Sequence, residues 1–399
     1  MQKLHLQDLS VKGKKVLMRV DFNVPQNPDG SIADLTRIRE ALPSIQYILE
    51  KGGSVILMSH LGRPKGKRDP KFSLRVCAEA LSQLLKKPVQ FAPDCIGSEV
   101  EKIVSGLKSG EVLLLENLRF YAAEEDPSLD PNFAEALSHL GDIYVNDAFG
   151  AAHRAHSSTV MIASYFPHRA AAGLLMQKEL SFLGALLKNP KRPFYAIIGG
   201  AKISSKIGVL HSLLSKVDGL FIGGGMCYTF LKAMNVPIGD SICEEGAVET
   251  AKSFLQAASA RELKLWFPED LVIADGFKND AKSRIISFKE GISNGWQGMD
   301  IGPQTLSSWQ AALKAAGTIF WNGPVGVFEF SNFAKGTEGL TRALAHFTAI
   351  RIVGGGDSVA AVNGLNLEKY FSHLSTGGGA SLEFIEFGRL PGIDALSDK

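Results

Sequence analysis

The stretch Gly354-Gly355-Gly356-Asp357-Ser358 sets three glycines, an acid and a hydroxyl between the apolar residues Ile352-Val353 and the helix-compatible run Val359-Ala360-Ala361-Val362. A glycine-rich turn that opens a helix aims several backbone N–H groups at one point, and the helix dipole adds positive potential there, so the stretch suits a phosphate. Asp357 would repel that phosphate unless a cation stands between them, and Mg²⁺ bridging a carboxylate and phosphate oxygens resolves the conflict. The same residues also make an ordinary strand-to-helix turn, with Asp357 or Ser358 as N-cap. Other groups in this half bear on the choice. Lys202 and Lys206 follow Gly199-Gly200-Ala201 and fall four residues apart at an expected helix start. Two cations there oppose the dipole unless an anion sits between them or the pair is simply solvated. Gly223, Gly224 and Gly225 end another apolar run, Glu329 follows a further one, and Gly377-Gly378-Gly379 forms a last glycine triplet.

The first half carries different chemistry. Asp21 and Asn23, His60 and Arg63, Arg119, and Arg154 each follow an apolar run, and Arg37 lies just downstream of the first. Several guanidinium forks converging on one edge would hold a phosphate or carboxylate. His153 and His156 lack a third ligand at useful spacing, so no metal is expected there.

These groups need elements to position them. The apolar runs at 16–20, 55–58, 89–91, 112–115 and 143–145, and at 194–198, 220–222, 271–274, 318–321 and 351–353, read as buried strands. Amphipathic helices intervene. One starts at Asp34 or Thr36, with Ile38, Leu42, Ile45 and Leu49 on one face, and Pro43 should kink or restart it. Arg37 in its first turn opposes the dipole, which leaves either a solvated misfit or an anion site. Strands alternating with helices define an α/β protein, whose ligands bind beyond the strands' carboxyl ends. Leucines at helical spacing over 173–187, ended by Asn189-Pro190, read as a helix joining two α/β domains.

The bulk numbers exclude other classes. The 399 residues suit two or three domains, and the 45% hydrophobic and 21% charged content is that of an ordinary globular protein. A net charge of +2 argues against a nucleic-acid binder held by bulk charge. The four cysteines, with no C-x-x-C pair, read as free thiols, and neither a signal-peptide core at Met1-Gln2-Lys3 nor a membrane-length apolar run is evident, so the cytosol is the expected compartment. There is no G-x-x-x-x-G-K-[ST] and no G-x-G-x-x-G. Gly356-Asp357-Ser358-Val359-Ala360 approaches a hydrolase elbow, but only His373 follows it. A phosphoryl-transfer enzyme uses both halves; a non-catalytic nucleotide-binding module explains only the second.

Taken together, Arg19-Val20-Asp21-Phe22-Asn23-Val24-Pro25, Ser59-His60-Leu61-Gly62-Arg63-Pro64, Glu116-Asn117-Leu118-Arg119-Phe120, Asn146-Asp147-Ala148-Phe149, His153-Arg154-Ala155-His156, Gly199-Gly200-Ala201-Lys202, Trp321-Asn322-Gly323-Pro324, Gly354-Gly355-Gly356-Asp357 and Ser375-Thr376-Gly377-Gly378-Gly379 resemble phosphoglycerate kinase, in the family's order and over essentially the whole chain. The resemblance implies two Rossmann-like, mainly parallel domains joined by a hinge helix. It implies a phosphoglycerate domain at 1–172, the joining helix at 173–190, a nucleotide domain at 191–376 and a segment at 377–399 returning to the first domain. The implied reaction passes a phosphoryl group reversibly between 1,3-bisphosphoglycerate and MgADP, giving 3-phosphoglycerate and MgATP. Asp21, Asn23, Arg37, His60, Arg63, Arg119 and Arg154 would hold the phosphoglycerate, with Arg37 meeting developing charge. Lys202 and Lys206 would reach the phosphates, Glu329 the ribose and Asp357 the Mg²⁺. Gly200, Gly224 and Gly298 would line the nucleotide pocket. Gly354, Gly355, Gly356 and Ser358, and Gly378 of the last triplet, would supply helix N-termini at the reacting phosphate. Domain closure, hinged near 173–187 and 377–379, and a monomeric state are likewise implied.

Overall fold

The computed structural model describes residues 3–399; Met1 and Gln2 of the N-terminal stretch read above lie outside the described residues. The chain divides into two units. Unit 1 runs to Ser181 and includes Arg389–Lys399, and unit 2 is Phe182–Gly388.

Unit 1 is built on β1 (Lys15–Arg19), β2 (Ser54–Met58), β3 (Val89–Phe91), β4 (Val112–Leu114), β5 (Ile143–Asn146) and β6 (Ala170–Ala172). They pair in the order β3-β4-β2-β1-β5-β6, and every ladder is parallel. β2 and β5 are buried along their whole length. A strand covered on both faces carries a continuous apolar run, which is why these strands are visible in the sequence. The helices are α1 (Thr36–Glu50), α2 (Arg75–Leu85), α3 (Ser98–Gly106) and α4 (Asn132–Ser138). α1 buries Ile38, Ala41, Ile45 and Ile48, while Leu42 and Leu49 pack at the margin of the core. It is not restarted at Pro43. Pro43 and Arg39, the residue whose carbonyl loses its partner, are both exposed, so the missing bond falls on the solvated side.

The division between units falls inside α5 (Leu174–Lys188). Unit 2 contains β7 (Phe194–Ile198), β8 (Gly219–Ile222), β9 (Lys264–Trp266), β10 (Asp270–Ala274), β11 (Ser283–Ser287), β12 (Gln297–Ile301), β13 (Thr318–Asn322), β14 (Ile350–Gly354) and β15 (His373–Leu374). Six of these form a parallel sheet in the order β15-β14-β13-β7-β8-β9, the Rossmann order read from its far edge. The strand order reverses between β7 and β13. β10, β11 and β12 form a separate antiparallel sheet, of which the apolar run at 271–274 shows only one strand. The helices of unit 2 are α6 (Ile207–Leu213), α7 (Met226–Ala233), α8 (Val248–Ser259), α9 (Pro303–Leu313), α10 (Lys335–His346), α11 (Gly356–Gly364) and α12 (Gly379–Phe387), and α13 (Pro391–Asp394) follows in unit 1.

Two sequence expectations shift. Lys202 and Lys206 do not share a helix face, because α6 begins only at Ile207 and Lys206 is its N-cap. The Ser204 N–H and hydroxyl both bond the Glu244 carboxylate, at 2.9 and 2.6 Å, and hold the preceding segment as turns. Residues 377–388 stay in unit 2, where Ser212 Oγ of α6 donates to the Ile385 carbonyl of α12 at 2.9 Å. The return to unit 1 begins at Arg389, and Gly392 N–H bonds the Ala152 carbonyl at 2.8 Å. No helix among the described residues is long and apolar enough to cross a membrane.

Asp147, just past β5, anchors the start of α5 by accepting the Met176 N–H at 3.0 Å. Burial pushes its carboxyl up to about 6 against the hydrogen bonds from Ser44, Met176 and Leu175. A Cβ on Gly173 would collide with this carboxylate. Gly173→Ala should therefore cost about 1–3 kcal/mol, read as a lowered denaturant midpoint. An unchanged midpoint would mean that α5 does not depend on the Asp147 contact.

Candidate active site

In unit 1 the ends of β1, β2 and β4 deliver one connected cluster. Arg37 Nη1 bonds Asp21 Oδ2 at 2.6 Å, so the cation in the first turn of α1 has a carboxylate partner. Asn23 Oδ1 accepts the Gly62 N–H at 2.8 Å, and Arg119 Nη1 donates to the Gly62 carbonyl at 2.9 Å. Arg119 also pairs with Glu125 at 3.0 Å, and its buried Nε has no hydrogen-bond partner. Burial pushes the Asp21 carboxyl up, but the Arg37 and Arg19 charges and the Asn23 N–H outweigh it and hold it at about 2. Asp21, Asn23, Arg37, His60 and Arg119 thus stand together. Arg63 and Arg154 are exposed, and among the described residues neither side chain has a hydrogen bond or ion pair to this cluster, although the charge of Arg154 contributes to the field at His156.

Behind the cluster lies a layer that sequence reasoning missed. Arg19 is 0% exposed. Its Nε donates to Ser158 Oγ at 2.8 Å, its Nη1 to the Val20 carbonyl, and its Nη2 to His60 Nδ1 at 3.0 Å. Glu124, also 0% exposed, lies 3.7 Å from Arg19 Nη2 and accepts the Ser158 hydroxyl at 2.6 Å. A guanidinium only donates, so His60 must accept at Nδ1 and carry its proton on Nε2. Burial and the neighbouring Arg19 charge hold the His60 pKa well below its usual value, so the ring is neutral. His156 is likewise driven down to about 3, first by burial and then by Arg19, Arg119 and Arg154. Among the described residues no cluster of His, Cys, Asp and Glu could hold a metal ion. Removing Arg19 would strand Glu124 as a buried, unpaired charge. Arg19→Met should cost about 3–5 kcal/mol in denaturant unfolding; a loss below about 1 kcal/mol, the level of an exposed pair, would contradict a buried pair.

In unit 2 the reversal of strand order between β7 and β13 brings three turns into contact. Gly199 and Gly200 N–H groups bond the Asn322 and Pro324 carbonyls, each at 2.9 Å, and Gly224 N–H bonds the Val325 carbonyl at 3.1 Å. Gly224 sits at φ +65°, and a Cβ there would come within 2.6 Å of both Gly200 N and the Pro324 carbonyl oxygen, so only glycine fits. These turns floor a cavity of about 350 Å³ whose lining includes Gly200, Gly224, Gly298, Glu329 and Asp357 of the expected residues. Ile242, Phe277 and Tyr228 add apolar and aromatic walls that no local motif announced. A side chain at Gly298 would run into the Tyr228 hydroxyl, which explains the glycine there.

Lys206 Nζ bonds Asn322 Oδ1 at the end of β13, a partner the sequence did not reveal. Lys202 lies exposed on the preceding turn. Gly355, at φ +90°, caps α11, and Gly378, at φ +54°, caps α12. Gly354 ends β14, Gly356 begins α11, and Asp357 lies exposed in the first turn of that helix, beside its unpaired N–H groups. The buried Ser358 hydroxyl accepts the Gly323 N–H at 2.6 Å, which ties α11 to the β13 turn.

One unit therefore presents a cationic strand-end cluster, and the other a glycine-floored cavity beside a helix N-terminus and a carboxylate. These are the features of a phosphate-handling α/β protein with separate sites for two anionic ligands. The phosphoglycerate kinase family model matches residues 6–388. The phosphoglycerate kinase of Moorella thermoacetica is 53% identical over 399 residues and the whole of both chains, and the cytosolic enzyme of Triticum aestivum is 51% identical over 98% of each. Solved phosphoglycerate kinases from Coxiella burnetii and Pyrococcus horikoshii share 39% and 31% identity, with TM-scores of 0.86 and 0.85 over 98% of each chain. The chain belongs to the phosphoglycerate kinase family. It is a kinase, and the family relationship does not favour a non-catalytic nucleotide-binding module.

Burial pushes the Lys206 ammonium down to about 8, with Asp357 pulling the other way. Its charge is thus present below pH 8 and lost above it. MgADP affinity measured by calorimetry should fall as pH rises through about 8, and Lys206→Arg should flatten the step, since a guanidinium stays protonated. An identical pH profile in the arginine variant would remove Lys206 from the nucleotide site.

Proposed function

We propose that unit 1 holds the phosphoglycerate and unit 2 the nucleotide in reversible phosphoryl transfer between 1,3-bisphosphoglycerate and MgADP. Two strand-end sites of different chemistry carry this reading, one rich in guanidinium groups and one floored by glycine turns. Arg37, Arg63, Arg119 and Arg154 supply forks for the phosphate and carboxylate of the substrate, with Asn23 and the neutral His60 as hydrogen-bonding partners. Asp21 holds Arg37 until the anion arrives. On the nucleotide side, Lys202 and Lys206 meet the phosphates, the turns at Gly354–Gly356 and Gly378 offer backbone N–H groups, Gly298 and Gly224 admit the base, and Glu329 bonds the ribose.

Asp357 would hold Mg²⁺. A single exposed carboxylate suits that ion, which keeps several waters and takes its other ligands from substrate phosphates. Bound there, it would neutralise phosphate charge. No general base is needed, because the attacking oxygen is already anionic in either direction, as a carboxylate or as a phosphate. The protein's task is positioning and charge stabilisation. In-line transfer requires the reacting atoms to come within about 3–3.5 Å, so the reading includes closure of the two units on the bound substrates. A monomer in the cytoplasm completes it, in keeping with four free cysteines.

The test is a coupled assay with 3-phosphoglycerate and MgATP. Wild type should turn over, and removal of Mg²⁺ or Lys206→Ala should abolish the signal. Arg37→Ala should lower kcat by about 10²–10³, the effect of losing one donor to developing charge. A loss of tenfold or less, with KM raised, would make Arg37 a binding residue alone. Small-angle scattering that shows no compaction with both substrates bound would refute closure.

A further inference from the structure

The segment 240–244 runs along the cavity proposed for the nucleotide, and the reaction above assigns it no part. It is pinned at several places. Asp240 N–H bonds the Trp296 carbonyl at 2.9 Å, and Ser241 Oγ accepts the Gly298 N–H at 2.9 Å, which ties the segment to the start of β12. Ile242 lines the cavity and packs on Gly225, where a Cβ would come within 2.9 Å of Ile242 Cγ2 and 3.2 Å of Ala201 Cα. Glu244 N–H donates to Thr229 Oγ1 at 3.2 Å, and Thr229 is buried in α7.

The Glu244 side chain turns toward the stretch 202–206, which carries both lysines. Its Oε2 accepts the Ser204 N–H at 2.9 Å, and its Oε1 accepts the Ser204 hydroxyl at 2.6 Å. Other bonds in the stretch are local: Lys206 N–H to the Ile203 carbonyl at 2.8 Å, and Ser205 Oγ to the Lys202 carbonyl at 2.9 Å. Among the described residues, Glu244 is the only hydrogen-bond partner that residues 202–205 find outside 202–206. No helical ladder fixes them, because α6 begins only at Ile207. The buried Ile203 side chain is their other anchor. Burial would raise the Glu244 carboxyl, but the Ser204 hydroxyl, the Ser204 and Ile203 N–H groups and the Lys202 charge hold it below its usual value.

By charge alone this carboxylate is out of place. It would repel the phosphates that the lysines are to meet and take up part of the lysines' attraction. Its contribution must therefore come from geometry, since a cation serves phosphoryl transfer only where it is held in position.

We propose that Glu244 is a positioning residue: its bonds to Ser204 hold the turn that aims Lys202 and Lys206 at the nucleotide phosphates, and the segment 240–244 ties that turn to the cavity wall at Gly298. The proposal rests on the nucleotide reading given above.

The test compares two variants that remove the same charge. Glu244→Gln keeps an acceptor for the Ser204 N–H and a donor for its hydroxyl oxygen; Glu244→Ala keeps neither. MgADP affinity is measured by calorimetry, and kcat and both KM values in the coupled assay. Glu244→Ala should weaken MgADP by about fivefold or more, although it removes a negative charge. It should also lower kcat and leave KM for 3-phosphoglycerate unchanged. Glu244→Gln should bind MgADP as tightly as wild type, or more tightly. Ser204→Ala, which loses the hydroxyl bond and keeps the N–H bond, should fall between wild type and Glu244→Ala. Unchanged or tighter MgADP binding in Glu244→Ala would show that the carboxylate acts by charge alone and would overturn the proposal. Equal weakening in the glutamine and alanine variants would overturn it too. So would a KM for 3-phosphoglycerate that rises in step with the loss of MgADP affinity, the mark of a generally loosened fold. Failure of the wild-type protein to bind MgADP would instead overturn the nucleotide reading itself, and the proposal with it.

Discussion

A parallel ladder sends the carboxyl end of every strand to the same edge, and the organisation of both units follows from that constraint. The N–H and C=O groups beyond those ends are not consumed by the sheet, and the chain must turn there before each crossover. In unit 1 the turns after β1, β2 and β4 carry Asp21, His60 and Arg119 to one edge. In unit 2 the reversal of order between β7 and β13 opens a crevice at the same kind of edge, and the glycine turns interlock in it. The two units share a plan and differ in what the plan delivers: long charged side chains in one, bare backbone in the other. Side chains suit a small, highly charged ligand approached from several directions. Backbone suits a ligand that must lie close against the protein along much of its length.

Unit 1 concentrates positive charge, and the structure shows how that is made tolerable. Arg19 and Glu124 are both fully buried, and such a pair stabilises only when its remaining donors and acceptors are satisfied. Ser158 serves both partners, and His60 accepts from Arg19 as a neutral ring. The cluster in front can then keep its cations without a further charge on the imidazole. Asp21, held at about 2, stays ionised near neutrality and so remains a partner for Arg37.

Much of this was legible in the sequence, for a physical reason. Strands buried on both faces appear as apolar runs, so the strand ends, and with them Asp21, His60, Arg119 and the glycine turns, could be placed without coordinates. What was hidden depends on distance in space. Arg19 reads like any arginine near a strand end, and nothing local shows that it is sealed behind His60. Asn322 sits in a recognisable strand end, yet its bond to Lys206 joins residues far apart in the chain. The two lysines were assigned to one helix face because their spacing fits a helix, whereas hydrogen bonds from Ser204 to Glu244 hold that segment as turns. β11 and β12 escaped notice because one is mostly exposed and the other includes Gly298 and Asp300. Neither shows an apolar run.

The small antiparallel sheet enters the chain between β9 and β13 and completes its own ladders, independent of the parallel sheet beside it. It contributes Gln297, Gly298 and Met299 to the cavity proposed for the nucleotide, and the hairpin between β10 and β11 contributes Phe277, whereas the glycine turns that face the proposed phosphate positions come from the parallel sheet. The wall and the floor of one cavity thus belong to separate ladders, joined where the Val327 N–H bonds the Met299 carbonyl at 2.8 Å. Residues of the wall can be exchanged, and the hairpin lengthened or shortened, without re-registering a single strand of the floor. If this cavity takes the nucleotide as proposed, preference among nucleobases is free to drift or to be re-engineered in that cassette while the machinery for moving phosphate stays fixed.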